Sequence, residues 1–235
     1  MGRVTDSTAL PDWFNATCAE ALVPELERDA ELADTFVRLC GKFRMTQGAV
    51  AGLRLEDVWL PWQRKAFRAS FQCRESLWIM GKGSSKSVCV SAMAIAFVML
   101  SHARGINTRG LVAIVAPTIP TARIVFDHVT ECILADDELR TQFKSNVQSR
   151  SIVHEASGIA IQVLPCDMKA AVGRRPVLLI CDELHEIAQI NNATPVLNQL
   201  RQGGANFGRD FKVVSVSTMP IVAPVGEFKR QLTYA

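Results

Sequence analysis

The sequence lacks a lopsided charge. Twenty-six Lys and Arg against 23 Asp and Glu leave a net charge of +3 over 235 residues. That balance excludes neither a nucleic acid nor a neutral partner, and any basic patch must come from distribution rather than total. CxxC spacing is also missing. The seven cysteines, at 18, 40, 73, 89, 132, 166 and 181, are odd in number and mostly sit inside apolar runs. They argue against a disulfide framework or zinc site and for reduced, buried thiols in a cytosolic protein. The first residues carry no apolar h-region, so no signal peptide is read. After Met1-Gly2, Ser7 comes one place too late for a myristoylation site. The longest apolar run, over 88–100, has thirteen residues including Ser91, too short for a bilayer and suited to a buried helix. No internal repeat or low-complexity linker is visible. These absences lead to an expectation of a soluble, intracellular protein without a membrane partner. What is present is 49% apolar and 21% charged residues, which excludes a disordered chain. At this length, one generous α/β domain can bury enough surface to fold without disulfides or metal.

Residues 1–50 have helical periodicity. Leu22, Val23 and Leu26, then Leu32, Phe36, Val37 and Cys40, recur at three- and four-residue steps, with Gly41 closing the second segment. After Gly52 the texture changes to a loop that enters a helix near Pro61 and runs to about Phe71. Beyond it, short β-branched and aromatic runs alternate with helical stretches. Strands are expected over 76–80, 110–116, 177–181 and 211–217, and helices over 86–101, 121–134 and 195–202. Thr194 is read as the N-cap of the last helix, with Pro195 in its first turn and Gly203 as its stop. Segments 152–154 and 159–164, joined at Ser157-Gly158, read as a hairpin or strand pair. The alternation predicts an α/β fold with a mainly parallel sheet covered by helices on both faces. The chain runs out soon after its last strand with no finishing helix expected, which reads as a fragment.

Two segments carry chemistry. Trp78 to Ser87 runs strand, Gly-rich loop, helix, the order phosphate binding needs: loop N–H groups converge on phosphate oxygens and the helix aims its positive end at them. Gly81, Lys82, Gly83, Ser84 and Ser85 form the loop. Lys86 would reach the β/γ-phosphates and the Ser87 hydroxyl would sit on Mg²⁺. The strict pattern asks for Gly at 80 and 85, where this chain has Met80 and Ser85. Ser85 either takes an ordinary negative φ and is harmless, or is strained in left-handed geometry and weakens nucleotide binding. The second segment, 176–186, is an apolar run ending in Asp182-Glu183. Ligands of parallel sheets sit at the carboxyl ends of strands, so Asp182 would hold the metal's water shell and Glu183 would act as base toward water. Plainer readings stand beside both: an ordinary flexible loop, and a strand leaving into a solvated acidic loop. His185 has no second His nearby and reads as a polar loop residue or a relay rather than a metal ligand.

Taken together, the chain resembles the ATPase domain of large terminase subunits, the DNA-packaging motors of tailed double-stranded DNA phages. Trp62-Gln63 resembles the family's adenine-recognising Gln motif. Gly81 to Ser87 resembles its variant P-loop with an internal basic residue, here Lys82. Ala116-Pro117-Thr118 followed by 122–126 resembles the stretch after its second strand. Asp182-Glu183-Leu184-His185-Glu186 is similar to its Asp-Glu-x-His-Glu element, and Ser215 to Thr218 to its coupling motif, with Ser217 and Thr218 as the coupling residues. The resemblance covers about 50–220. It implies a P-loop NTPase of the ASCE, RecA-like class, with a helical N-terminal region over 1–50 and the ATPase domain over 51–235. The family's C-terminal nuclease domain is expected to be absent, since only Asp210 and Glu227 follow Glu186 as carboxylates. The resemblance further implies ATP and Mg²⁺, a ring of copies moving double-stranded DNA into a procapsid, and portal and small terminase partners in the host cytoplasm. An arginine would be supplied in trans by Arg174 or Arg175, beside Lys86 and Glu183 as catalytic groups.

Other readings stay open. Arg174 and Arg175 also suit surface or DNA-backbone contacts, Trp62 a core anchor, Gln63 a helix cap, and Ser217-Thr218 a simple strand end. As whole-chain alternatives, a helicase-like ASCE core would need a second lobe for which there is no room. A catalytically weakened nucleotide-binding module would keep the loop without turnover.

Overall fold

The computed structural model describes residues 16–46, 48–105, 110–219 and 223–234, with side chains from Asp29 to Thr233 among them. The helical expectation for 1–15, and the side chains of Cys18, Leu22, Val23 and Leu26, lie outside the described part. In chain order the elements are α1 (Ala16–Lys42), α2 (Leu55–Val58), α3 (Pro61–Gln72), β1 (Glu75–Ile79), α4 (Lys86–Ala103), β2 (Leu111–Ala116), α5 (Ile119–Leu134), α6 (Asp137–Gln142), β3 (Phe143–Asn146), β4 (Ser151–His154), β5 (Ala160–Pro165), α7 (Met168–Ala171), β6 (Pro176–Asp182), α8 (Leu184–Ile187), α9 (Ala193–Gly204), β7 (Lys212–Ser217) and α10 (Gly226–Tyr234).

The seven strands form one sheet in the order β1-β7-β6-β2-β5-β4-β3. The first five are mutually parallel, and β4 and β3 extend the sheet as an antiparallel hairpin pair. Every residue of β2 and β6 is buried. Such strands need apolar residues on both sides, because helices cover both faces of a parallel sheet. On one face Val112, Ile114, Leu178, Ile180, Val214 and Val216 meet α1, α3, α4 and α5. On the other, Ala113, Val115, Leu179, Cys181 and Val213 meet α7, α8, α9 and α10. Helix α4 is apolar on all sides, and each residue from Cys89 to Val98 is buried. It is long and apolar enough to cross a membrane, but here it is the central helix of the larger core.

Several expectations need correction. The periodic region before residue 43 is one helix that includes Gly41. A Cβ at Gly41 would come within 2.9 Å of Glu56 and Trp59, so this glycine admits α2 rather than ending α1. Helix α9 starts two residues earlier than expected, with Asn192 as N-cap at φ 67°. Gly203 lies inside it, where a Cβ would fall 2.0 Å from the Arg174 carbonyl oxygen. A finishing helix does follow the last strand: α10 buries Phe228 and Glu227. Of the cysteines, Cys40, Cys89, Cys132 and Cys181 are buried, whereas Cys73 is exposed.

Candidate nucleotide site

The strand order places the site. Strand β7 lies between β1, which leads into the Gly-rich loop, and β6, which ends at Asp182. The register aligns Ile79 with Ser217 and Asp182 with Val216, so all three strands finish at the same level. The Met80 amide donates to the Ser217 carbonyl at 3.0 Å, continuing the ladder one residue beyond β1. The loop then turns through Gly81 to Ser85, with Ser84 Oγ donating to the Gly81 carbonyl at 2.6 Å. Ser85 enters α4 as its N-cap at φ 59°, ψ 32°, in left-handed backbone. The chain therefore does not adopt the negative-φ alternative.

Lys86, the first residue of α4, places Nζ 3.5 Å from Glu183 Oε1, with side chains 10% and 22% exposed. Glu183 also has left-handed backbone, φ 53° and ψ 55°, where β6 breaks into α8. Its other carboxylate oxygen accepts from the Thr218 amide at 3.3 Å and the Thr218 hydroxyl at 3.4 Å. Asp182 is 3% exposed. Burial, then the neighbouring Glu183 charge, pushes its carboxyl up to about 6. A buried carboxylate at a strand end and the hydroxyl of Ser87, beside Lys86 at the start of α4, are hard-oxygen donors of the kind Mg²⁺ takes. That ion takes few protein ligands and completes its shell from water and phosphate. The described residues contain no cluster of three or more His, Cys, Asp or Glu for a metal, and an ion that takes few protein ligands would not need one.

The remaining expected residues divide in two. Ser217 and Thr218 join the site directly. Ser217 Oγ meets the His185 amide at 3.2 Å and His185 Nδ1 at 2.9 Å. Gln63 sits behind it: Oε1 accepts from the Leu60 amide at 2.6 Å and Nε2 contacts Cys89 Sγ at 3.4 Å, with the residue 4% exposed. It caps α3 and ties it to the first turns of α4, so an adenine contact would require Nε2 to leave Cys89. Trp62 packs half-buried against the core. Arg174 and Arg175 precede β6 at its amino end. At a rise of about 3.3 Å per residue, seven residues put them about 20 Å from Asp182. Both are exposed, and Arg174 Nε donates to the Ala170 carbonyl at 3.3 Å. The pairing of His185 with Ser217, 32 residues away, has no spacing signal in the sequence. Only the adjacency of β6 and β7 reveals it. A separate cleft of about 450 Å³, lined by Phe71, Phe97, Arg104, Val177, Arg209 and Lys212, lies at the start of β6 and β7, away from Lys86.

No protein-family model and no curated protein sequence matches the chain. Among solved structures it is similar to the large terminase of bacteriophage HK97, with a TM-score of 0.68 at 12% identity over 86% of this chain and 41% of that one. It is also similar to the large terminase ATPase domain of Thermus phage P74-26, with a TM-score of 0.52 at 20% identity over 71% and 67%. A third likeness is to the UvsW helicase of bacteriophage T4, with a TM-score of 0.51 at 12% identity over 83% and 70%. The chain spans about two fifths of the HK97 protein's length. At these identities the fold is what is shared: a RecA-like P-loop α/β domain, the fold of phage large terminase ATPase domains.

Proposed function

We propose that this chain is an ATP-hydrolysing motor domain that drives double-stranded DNA into a viral procapsid. The observation that carries the reading is the convergence of Lys86, Asp182, Glu183 and Thr218 at the common end of β1, β6 and β7. Lys86 and Glu183 satisfy each other. Phosphate entering the loop would replace Glu183 as the counter-ion of Lys86 and leave Oε1 free to orient and deprotonate water. Backbone N–H groups of the loop and of α4 would hold the β/γ-phosphates. Mg²⁺, held by Ser87 and Asp182, would supply the charge that neutralises phosphate oxygens in the transition state. Ser217 and Thr218, touching Glu183 and ending β7, would pass the state of the site to the rest of the chain. A ring of copies in the infected host's cytoplasm, with portal and small terminase partners, completes the reading.

The test is steady-state ATPase activity with and without double-stranded DNA. Magnesium-dependent hydrolysis stimulated by DNA, and abolished in Lys86→Ala, is expected. Turnover left largely intact in that variant would remove the P-loop assignment. The left-handed Ser85, whose Cβ stands where the loop would hug phosphate, favours one second reading: a module that binds nucleotide without turning it over. Calorimetric binding without hydrolysis at any protein concentration would select it.

A further inference from the structure

The Thr218 hydroxyl has one hydrogen and two acceptors in reach, Glu183 Oε2 at 3.4 Å and His185 Nε2 at 3.5 Å. Two contacts bear on which ring nitrogen of His185 can accept. Ser217 Oγ lies 2.9 Å from the Thr218 carbonyl, to which it can donate, and then accepts from the His185 amide and from a protonated Nδ1. Glu183 Oε2, 3.5 Å from Nδ1, favours a proton on the same nitrogen. In that neutral tautomer Nε2 is the acceptor. Glu186 Oε1 is 3.9 Å from Nε2, beyond hydrogen-bond reach.

We propose that His185 is a positioning residue and that the Thr218 hydroxyl is a two-position switch between Glu183 and His185. This rests on the reading of Glu183 as the base. With the hydrogen on Glu183, Oε2 is held by two Thr218 donors against the end of β7. With the hydrogen on His185, the Thr218 amide at 3.3 Å and His185 Nδ1 at 3.5 Å remain beside Oε2, and the carboxylate is freer to turn toward water. Both hydroxyl contacts lie at the long limit of hydrogen bonding, so neither position dominates. A small shift at the end of β7 would then change the freedom of the base without moving Lys86 or Asp182.

Two substitutions separate the ring's two nitrogens. His185→Asn puts a donor near the Nδ1 position and nothing at Nε2. His185→Gln reaches the Nε2 position with an acceptor and leaves Nδ1 unreplaced. The expected result is a kcat reduced about three- to tenfold in His185→Ala and His185→Asn, the factor set by one hydrogen bond. His185→Gln should restore it, with KM and nucleotide affinity unchanged throughout. In a Thr218→Val background the dependence on residue 185 should vanish. A rescue by Asn instead of Gln, or an unchanged kcat in all three variants, would overturn the switch. Nitrogen-15 NMR of the histidine-labelled chain supplies a readout independent of turnover. The Nδ1–H tautomer is expected for His185, and an Nε2–H tautomer overturns the inference even if the chain hydrolyses ATP. A chain that shows the Nδ1–H tautomer but no hydrolysis would defeat the proposed function instead.

Discussion

Ser85 and Glu183 both hold left-handed backbone, at φ 59° and 53°, a conformation that costs an L-residue roughly 1–2 kcal/mol. The left-handed turn at Ser85 belongs to the backbone of the fold, so its cost weighs on the stability of the fold. Ser85→Gly should raise the unfolding free energy by about 0.5–1 kcal/mol, the relieved strain less the backbone entropy glycine adds to the unfolded chain. Urea denaturation checks this, and a lowered midpoint would count against it. A nucleotide affinity raised about tenfold in the same variant would show that the strain is built on binding instead. Asp182 makes a different case, because its carboxyl is raised to about 6 mainly by burial. A group whose folded pKa lies above its unfolded value contributes stability that is fully present below about pH 4 and lost as pH rises through 6. Asp182→Asn removes the buried charge. In EDTA the variant should therefore gain on the wild type between pH 4 and 8, by up to roughly 2–3 kcal/mol. A pH-independent difference in melting would show that Asp182 is not ionised at a cost.

At the scale of elements, close backbone approach decides where sequence pattern misleads. Gly203 looks like a helix stop, yet it lies within α9 because the Arg174 carbonyl sits where its Cβ would be. Gly203→Ala improves helix propensity by about 1 kcal/mol. A 2.0 Å approach to a backbone oxygen must displace either α9 or the start of β6, which costs about 1–3 kcal/mol, so a net loss of thermal stability is expected. A raised melting temperature would show that the helix end yields freely. The long elements were legible because their apolar pattern extends over several turns or a full strand, as in α4, β2 and β6. Helices α7 and α8, at four residues each, are too short for any period to register. Helix α10 was hidden for another reason. Glu227 reads as a solvent residue, but it is 1% exposed and held by Arg201 at 2.5 Å and Arg230 at 2.7 Å, a compensation that sequence cannot show. The site was legible as two separate strand ends. Its closure by Ser217, Thr218 and His185 was not, because it depends on β7 standing between β1 and β6.

At the scale of the whole molecule, the sheet separates the nucleotide site from the arginines proposed to serve it. Arg174 and Arg175 lie at the amino end of β6, about 20 Å by strand rise from the Asp182 end. Neither can reach a phosphate in its own loop. Any service by these two residues to a transition state would have to come from another copy, through a head-to-tail interface. Specific ATPase activity should therefore rise steeply with protein concentration, because in an isolated copy Arg174 and Arg175 are out of reach of the loop and the base. A mixing experiment makes the geometry explicit. Subunits carrying Arg174→Ala and Arg175→Ala keep an intact site, and subunits carrying Glu183→Gln keep intact arginines. Each preparation alone should be nearly inactive. In an equal mixture, about a quarter of the head-to-tail interfaces unite an intact site with an intact arginine. Activity should then recover to that order of the wild-type rate at the same total concentration. A mixture no more active than its parts, together with wild-type activity independent of concentration, would place Arg174 and Arg175 outside the catalytic machinery.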